Sequence, residues 1–211
     1  DKSKLSKRQG DVSVEDYINR GYLKEALINF IALLGWHESN NQEFYTLDEL
    51  KNIFSLDRVQ NSGAVFDAQK LNWFNQHYIK DLDSQTVIEL SKEYIPSDWI
   101  VTPNMINLIK EKLSKFSDIK NELSPFFSKP EISNQDLLDK YPDSNINEII
   151  PIIINTIKKH NSINKEILNA IMNHIASQTG CSGRKLWQPI RFIITGQDHG
   201  PDLASFISII G

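Results

Sequence analysis

The chemically dense part of the chain is its start, where Lys4-Leu5-Ser6-Lys7-Arg8 is followed by Gln9-Gly10. Two lysines three apart, a serine between them and a glycine after make a cationic loop. Such a loop can fold over a polyphosphate and neutralise charge as it develops. The same residues also suit an exposed basic tail, and spacing alone favours the tail. Arg191 is flanked by Ile190 and Phe192; a buried arginine needs a partner, so it either pairs internally or faces a phosphate or a base. Metal chemistry is not expected, because His37, His77, His160, His174 and His199 show no ligand spacing such as His-Glu-x-x-His. Cys181 is the single cysteine, so neither an internal disulfide nor a cysteine-based zinc site is open to it. No base lies near it in sequence, and it reads as a core or loop thiol. Neither standard form of glycine-rich phosphate loop occurs.

The elements that must position these residues read as helices. Ser13-Val-Glu-Asp16 and Thr46-Leu-Asp-Glu49 resemble capping boxes, with Gly21 ending the first helix and Phe54 the second. Leu27, Phe30, Ile31 and Leu34 recur at i, i+3, i+4, i+7 in a helix from Lys24, and Leu71, Phe74, Tyr78 and Leu82 form another apolar stripe. A further helix is expected over 83–93. Pro103 after Thr102 launches one to about Lys115. Helices are also expected over 146–159, with Pro151 early in it or kinking it, and over 164–178, closed by Gly180. Leu186–Thr195, LWQPIRFIIT, is strand or helix by periodicity alone. The GQDHGPDL that continues from it predicts a turn and a short last helix. No period-2 hairpin pairs are seen, so the fold class expected is all-α. Trp73, Tyr78, Trp187 and Phe192 fall at helical spacing and are read as core rather than as base-stacking platforms. Arg58, Lys70 and Lys80 are read as solvated charges.

Composition narrows the class. The 211 residues can bury a sizeable core, and 27 acidic against 23 basic side chains exclude a histone-like polycation. Residues 1–83 carry 10 basic and 13 acidic side chains and 84–211 carry 13 and 14, so a nucleic-acid surface must come from local clustering. The longest apolar run, Ile149–Ile154 broken by Pro151, is far short of the roughly 18–20 residues that span a bilayer. No secretory signal is visible, and the expectation is a soluble cytoplasmic protein with no membrane partner. Boundaries are expected near Asp83, at Ser97-Asp98 and across 129–145. No repeat of solenoid length is evident.

A resemblance runs along the whole chain. KLSKRQGDVSVEDYINRGYLKEALINFIALLGW resembles the KMSKS-type loop and following helices of bacterial glutamyl-tRNA synthetases, which are class I aminoacyl-tRNA synthetases. It continues in Phe44-Tyr45-Thr46-Leu47-Asp48-Glu49-Leu50, in Asp57-Arg58-Val59, and in Ala64-Val65-Phe66-Asp67 with Lys70-Leu71-Asn72-Trp73. Leu186-Trp187-Gln188-Pro189-Ile190-Arg191 and Thr195-Gly196-Gln197-Asp198-His199-Gly200-Pro201 resemble the family's last-domain signature.

The resemblance implies a glutamate–tRNA ligase using ATP with Mg2+, acting on glutamate tRNA and, where discrimination is relaxed, on glutamine tRNA. In this family the catalytic Rossmann half, with its HIGH-type motif and glutamate pocket, precedes the loop. The chain is therefore expected to be the C-terminal portion entering at the loop, monomeric, inactive alone, and binding no cofactor by itself. By resemblance, Lys7 matches the loop lysine associated with ATP, and Lys4, Ser6 and Arg8 complete the catalytic loop. Residues 1–83 match the loop and stem-contact domain, and 84–141 and 142–211 two helical anticodon-binding subdomains. Arg191 matches an arginine that contacts an anticodon base, with Gly200-Pro201-Asp202-Leu203 beside it; Gly200 and Leu203 join the tRNA-contact set. Lys112 stands where discriminating members carry arginine, on the helix expected over 104–115. The competing expectation, from a different class, is a free-standing all-helical module binding nucleic acid or protein, whose basic start is only a tail.

Overall fold

The computed structural model describes residues 13–38, 42–60, 63–160 and 162–210. The loop residues Lys4, Ser6, Lys7 and Arg8 lie outside the described residues. Twelve α-helices are present among those described, joined by 3-10 turns, and the only β-type pairing there is an isolated antiparallel bridge between Trp36 and Val59. The all-α expectation holds. Among the described residues no helix is long and apolar enough to cross a membrane. The chain forms two compact units, Asp1–Glu122 and Leu123–Gly211.

In the first unit the helices are α1 Val14–Asn19, α2 Lys24–Gly35, α3 Leu47–Ile53, α4 Ala68–Asp81, α5 Ser84–Leu90 and α6 Pro103–Ile109. Both expected capping boxes form: Ser13 accepts from the Asp16 N–H and Thr46 from the Glu49 N–H, and each acid reaches back to its cap. Each satisfies backbone donors that a helix start leaves unpaired. α2 packs on α4 through Leu27, Phe30, Leu71 and Phe74. Two fully buried asparagines lock this pair to its surroundings. The Asn29 amide donates to the Glu43 carbonyl at 2.9 Å, while its oxygen accepts from the Tyr45 N–H and the Tyr78 hydroxyl. Asn75 accepts from the Leu23 N–H and donates to the Ser114 carbonyl.

The helix expected from Pro103 to Lys115 stops earlier, at Ile109, and a 3-10 turn, Lys110–Lys112, follows. Its backbone acceptors explain the stop. The Glu111 carbonyl, which a helix running to Lys115 would use, takes a hydrogen bond from the Gln76 side chain of α4, and the Ser114 carbonyl just beyond takes one from Asn75. Lys110 is also drawn away, donating to the Lys80 and Leu82 carbonyls at the end of α4. Trp73 departs from the core expectation as well. It is 45% exposed, on the shoulder of the buried Leu71–Phe74–Asn75 side of α4, and leans on Phe44 and Phe74.

α7, Ile119–Phe127, contains the boundary between the units. The second unit continues with α8 Asn134–Lys140, α9 Ile146–Ile157, α10 Lys165–Thr179, α11 Arg184–Thr195 and α12 Leu203–Ile210. α8 lies within 129–145, a stretch the sequence offers only as a boundary. Ser133 caps it, with Asp136 completing the box. Pro151 sits inside α9 and Pro189 inside α11. LWQPIRFIIT resolves as helix: Leu186, Pro189 and Ile190 share one buried side at helical spacing. The core joins Ile149, Leu168, Ile171, Met172 and Ile175 to Leu186, Ile190, Leu203 and Ile207. Cys181 is buried in that core, as a core thiol would be.

Candidate nucleic-acid interface

The end of α11 and the turn leading to α12 bring together three of the residues expected to act. α11 closes on Gly196, whose φ of 71° is left-handed, and whose N–H bonds the Phe192 carbonyl. Thr195 fixes the next step, its hydroxyl donating to the Arg191 carbonyl and accepting from the Gln197 N–H. Asp202 then caps α12, accepting from the Ser205 N–H at 2.9 Å. These two helix ends leave 197–202 as a short, tightly tethered turn.

Arg191 points from α11 into that turn. Its Nη1 donates to the Pro201 carbonyl at 2.7 Å. Gly200 lies against the same nitrogen, and a Cβ on residue 200 would come within 2.9 Å of Nη1. The missing side chain at Gly200 therefore makes room for the guanidinium. Arg191 is half-buried, and desolvation pulls its pKa below the ordinary arginine value while the Asp202 carboxylate partly opposes that shift. A guanidinium offers five N–H donors in a planar fork, and at neutral pH it stays charged. Pro201 takes one donor, and no other hydrogen bond holds the guanidinium among the described residues. Leu203, the third expected residue here, is 2% exposed and belongs to the core, so its side chain anchors α12.

A second set of contacts holds the turn from the other side. The Asp198 carboxylate accepts from the Tyr141 hydroxyl and pairs with the Lys140 ammonium at 2.8 Å. Lys140 also lies 4.0 Å from the centre of the Phe192 ring, and Tyr141 meets that ring edge-on. Hydrogen bonds from Lys140 and then Tyr141 hold Asp198 below the usual carboxylate range. Burial, reinforced by Asp198, pushes the Tyr141 phenol up. Sequence reasoning missed this set, because Asp198 and Tyr141 are 57 residues apart.

Beside it, a shallow cleft of about 170 Å³ is lined by Lys140, Tyr141, Ser144, Arg184, Lys185 and Gln188, among others. Three of these are cationic. Lys185 meets Asp143 only at 3.9 Å, both well exposed, and Arg184 pairs with no acid among the described residues. This is the local cationic clustering that an overall balanced charge makes necessary. Among the described residues no group of three or more His, Cys, Asp or Glu side chains is placed to hold a metal ion.

Lys112 is in the other unit. It lies on the 3-10 turn after α6, about a third exposed, and faces Glu122 at 3.7 Å.

Known proteins match this arrangement. A family described as anticodon binding domain matches residues 63–211, and one described as class I tRNA synthetases (E and Q), catalytic domain, matches residues 1–73. The chain is 38% identical to the glutamate–tRNA ligase of Clostridioides difficile, with all of this chain and 45% of that protein covered. It is 35% identical to the ligase of Natranaerobius thermophilus, covering all of this chain and 46% of that one. It thus spans less than half the length of the curated relatives it matches. The crystal structure of a glutamate tRNA ligase from Elizabethkingia meningosepticum, in complex with its amino acid, superposes with a TM-score of 0.82 at 29% identity, covering 100% of this chain and 46% of that one. The chain belongs to the anticodon-binding-domain family, and it corresponds to the C-terminal portion of glutamate–tRNA ligases, with the end of the class I catalytic domain over residues 1–73.

Proposed function

We propose that the chain is the tRNA-binding, anticodon-reading part of an ATP-dependent ligase that activates glutamate and esterifies it to tRNA in the cytoplasm. The observation that carries this reading is the Arg191 guanidinium, half-buried and tied by one donor to the Pro201 carbonyl, with Gly200 leaving space beside it. A planar fork fixed at one edge presents its remaining donors in a set direction, which suits the acceptors on a base edge. Phosphate contacts position a nucleic acid while base contacts specify it. In this reading Arg184 and Lys185 serve the first purpose and Arg191 the second. Gly200 contributes space, and Leu203 holds α12 and hence the turn in place.

The division of labour is that residues 1–83 supply the loop and the stem contact, and 84–141 and 142–211 the two anticodon subdomains. Lys4, Ser6, Lys7 and Arg8 close over the ATP triphosphate and its Mg2+, Lys7 neutralising charge as it builds. They need a catalytic half to supply the glutamate pocket, because one cationic loop cannot orient the reacting carboxylate. The partners are glutamate tRNA and, through Lys112, glutamine tRNA, with the chain acting as a monomer.

Two measurements on the 211-residue chain test this. Glutamate tRNA should bind with an affinity that falls steeply with salt, since phosphate contacts release counterions. Pyrophosphate exchange with glutamate, ATP and tRNA should be at background. Failure to bind tRNA would reject the binding role, and brisk exchange would reject the need for a separate catalytic half.

A further inference from the structure

The turn that carries Gly200 is anchored at two points that flank it. On one side the Pro201 carbonyl receives the Arg191 guanidinium. On the other, Asp198 is gripped by the Tyr141 hydroxyl and the Lys140 ammonium, from the last residue of α8 and the one after it. The grip is itself braced: Phe192, next to Arg191 on α11, takes Lys140 on its ring face and Tyr141 against its edge. Arg191 and Asp198 share no hydrogen bond or ion pair among the described residues.

We infer that Asp198 is a positioning residue for Arg191, acting with Tyr141 and Lys140 to hold the 197–201 turn so that the Pro201 carbonyl aims the guanidinium at the nucleic acid. The inference rests on the proposed anticodon role of Arg191 and goes beyond it. The physical requirement is rigidity. A bidentate contact discriminates between bases only if the fork is held to a fraction of an ångström, and a long arginine side chain on a free turn would not be. A carboxylate that accepts one charged and one phenolic donor is a strong tether for a five-residue turn. It also cancels the Lys140 charge on that side, leaving Arg191 as the directed cation of the turn.

A double-mutant cycle on tRNA binding by the 211-residue chain separates this role from a merely structural one. Arg191→Ala alone tests the underlying reading: unchanged affinity for glutamate tRNA would reject Arg191 as a contact, whatever Asp198 does. If that variant does weaken binding, Asp198→Ala should weaken it by about 3- to 30-fold in the wild-type background, within the range of coupled neighbours, and by almost nothing when Arg191 is already alanine. Asp198→Asn keeps one acceptor oxygen, enough for the Tyr141 hydroxyl, but turns an NH2 toward Lys140, so it should recover only part of the loss. An equal loss in both backgrounds would overturn the inference, since Asp198 would then act on the fold or on some other contact. Should Asp198→Ala fail to fold, Tyr141→Phe gives the same cycle. It keeps the ring against Phe192 and removes only the hydroxyl, and an additive loss there would overturn the inference equally.

Discussion

Phe116 donates its backbone N–H to the Gly21 carbonyl at 3.0 Å, and at that crossing a Cβ on residue 21 would lie 2.7 Å from both the Cβ and the backbone nitrogen of Phe116. Gly21 also has a φ of 86°, which L side chains rarely adopt. Gly21→Ala therefore meets two independent penalties, about 1–2 kcal/mol for the left-handed backbone and about 1–3 kcal/mol for overpacking against a buried segment. The expected loss is about 2–5 kcal/mol, read from denaturant midpoints of the first unit. A midpoint within experimental error of wild type would show that the two segments separate at little cost.

Tyr78 is tied into the same unit more chemically. Its hydroxyl meets the Asn29 side-chain oxygen at 2.6 Å and the Tyr45 carbonyl at 2.8 Å. Burial dominates its titration and raises the phenol to about 12. An unfolded tyrosine ionises near 10, so the folded chain keeps a proton there that the unfolded chain has lost. Stability from this group is complete below about 10 and is lost as pH rises toward about 12. Wild type should therefore destabilise through that window, and Tyr78→Phe should flatten this part of the profile. At neutral pH the variant should be weaker by about 1 kcal/mol, because Asn29 keeps its bond from the Tyr45 N–H. An identical alkaline profile in both proteins would reject the assignment.

Most of the fold was legible in the sequence because helix caps are local. Ser13, Thr46, Asp83, Thr102 and Asn164 each announce a helix within four residues, and each does cap one. The departures come where a distant group competes. α6 ends early where Gln76 claims the Glu111 carbonyl, which a helix running to Lys115 would use itself. The site divides the same way. That Arg191 needs a partner follows from its apolar neighbours, but the partner is a backbone carbonyl, and no side-chain type marks it. The Lys140, Tyr141 and Asp198 grip joins residues of ordinary type across a long stretch of chain, and no spacing rule reports it.

The cleft beside that grip sets an electrostatic expectation. Arg184 lines it with no acidic partner among the described residues, and Lys185 meets only the well-exposed Asp143 at 3.9 Å. A bound phosphate backbone would therefore displace counterions from Arg184 and take Lys185 from that loose pair. Replacing both by glutamine should lower the slope of log affinity against log salt by about 2, roughly one for each phosphate left without its cation. The weakening should be similar for glutamate and glutamine tRNAs, because phosphates carry no sequence. Binding curves over a salt series decide it. An unchanged slope would place the phosphate contacts elsewhere.

Lys112 bears on which tRNAs are served. A lysine is a point charge and an arginine a two-donor fork, so lysine here penalises a wrong base less. Glu122, at 3.7 Å, draws the ammonium further from a fixed aim. Wild type should therefore bind glutamate and glutamine tRNAs with similar affinities. Lys112→Arg should shift the ratio toward glutamate tRNA, since a bidentate contact is worth about 1–3 kcal/mol, or roughly 5- to 150-fold. Arginine can keep one edge on Glu122 while presenting the other, so the ion pair does not block the gain. Glu122→Gln serves as the control: it loosens Lys112 without adding a fork, and should leave the ratio near wild type while altering overall affinity. If wild type already rejects glutamine tRNA strongly and Lys112→Arg changes nothing, then Lys112 only balances Glu122, and selectivity is set by other residues.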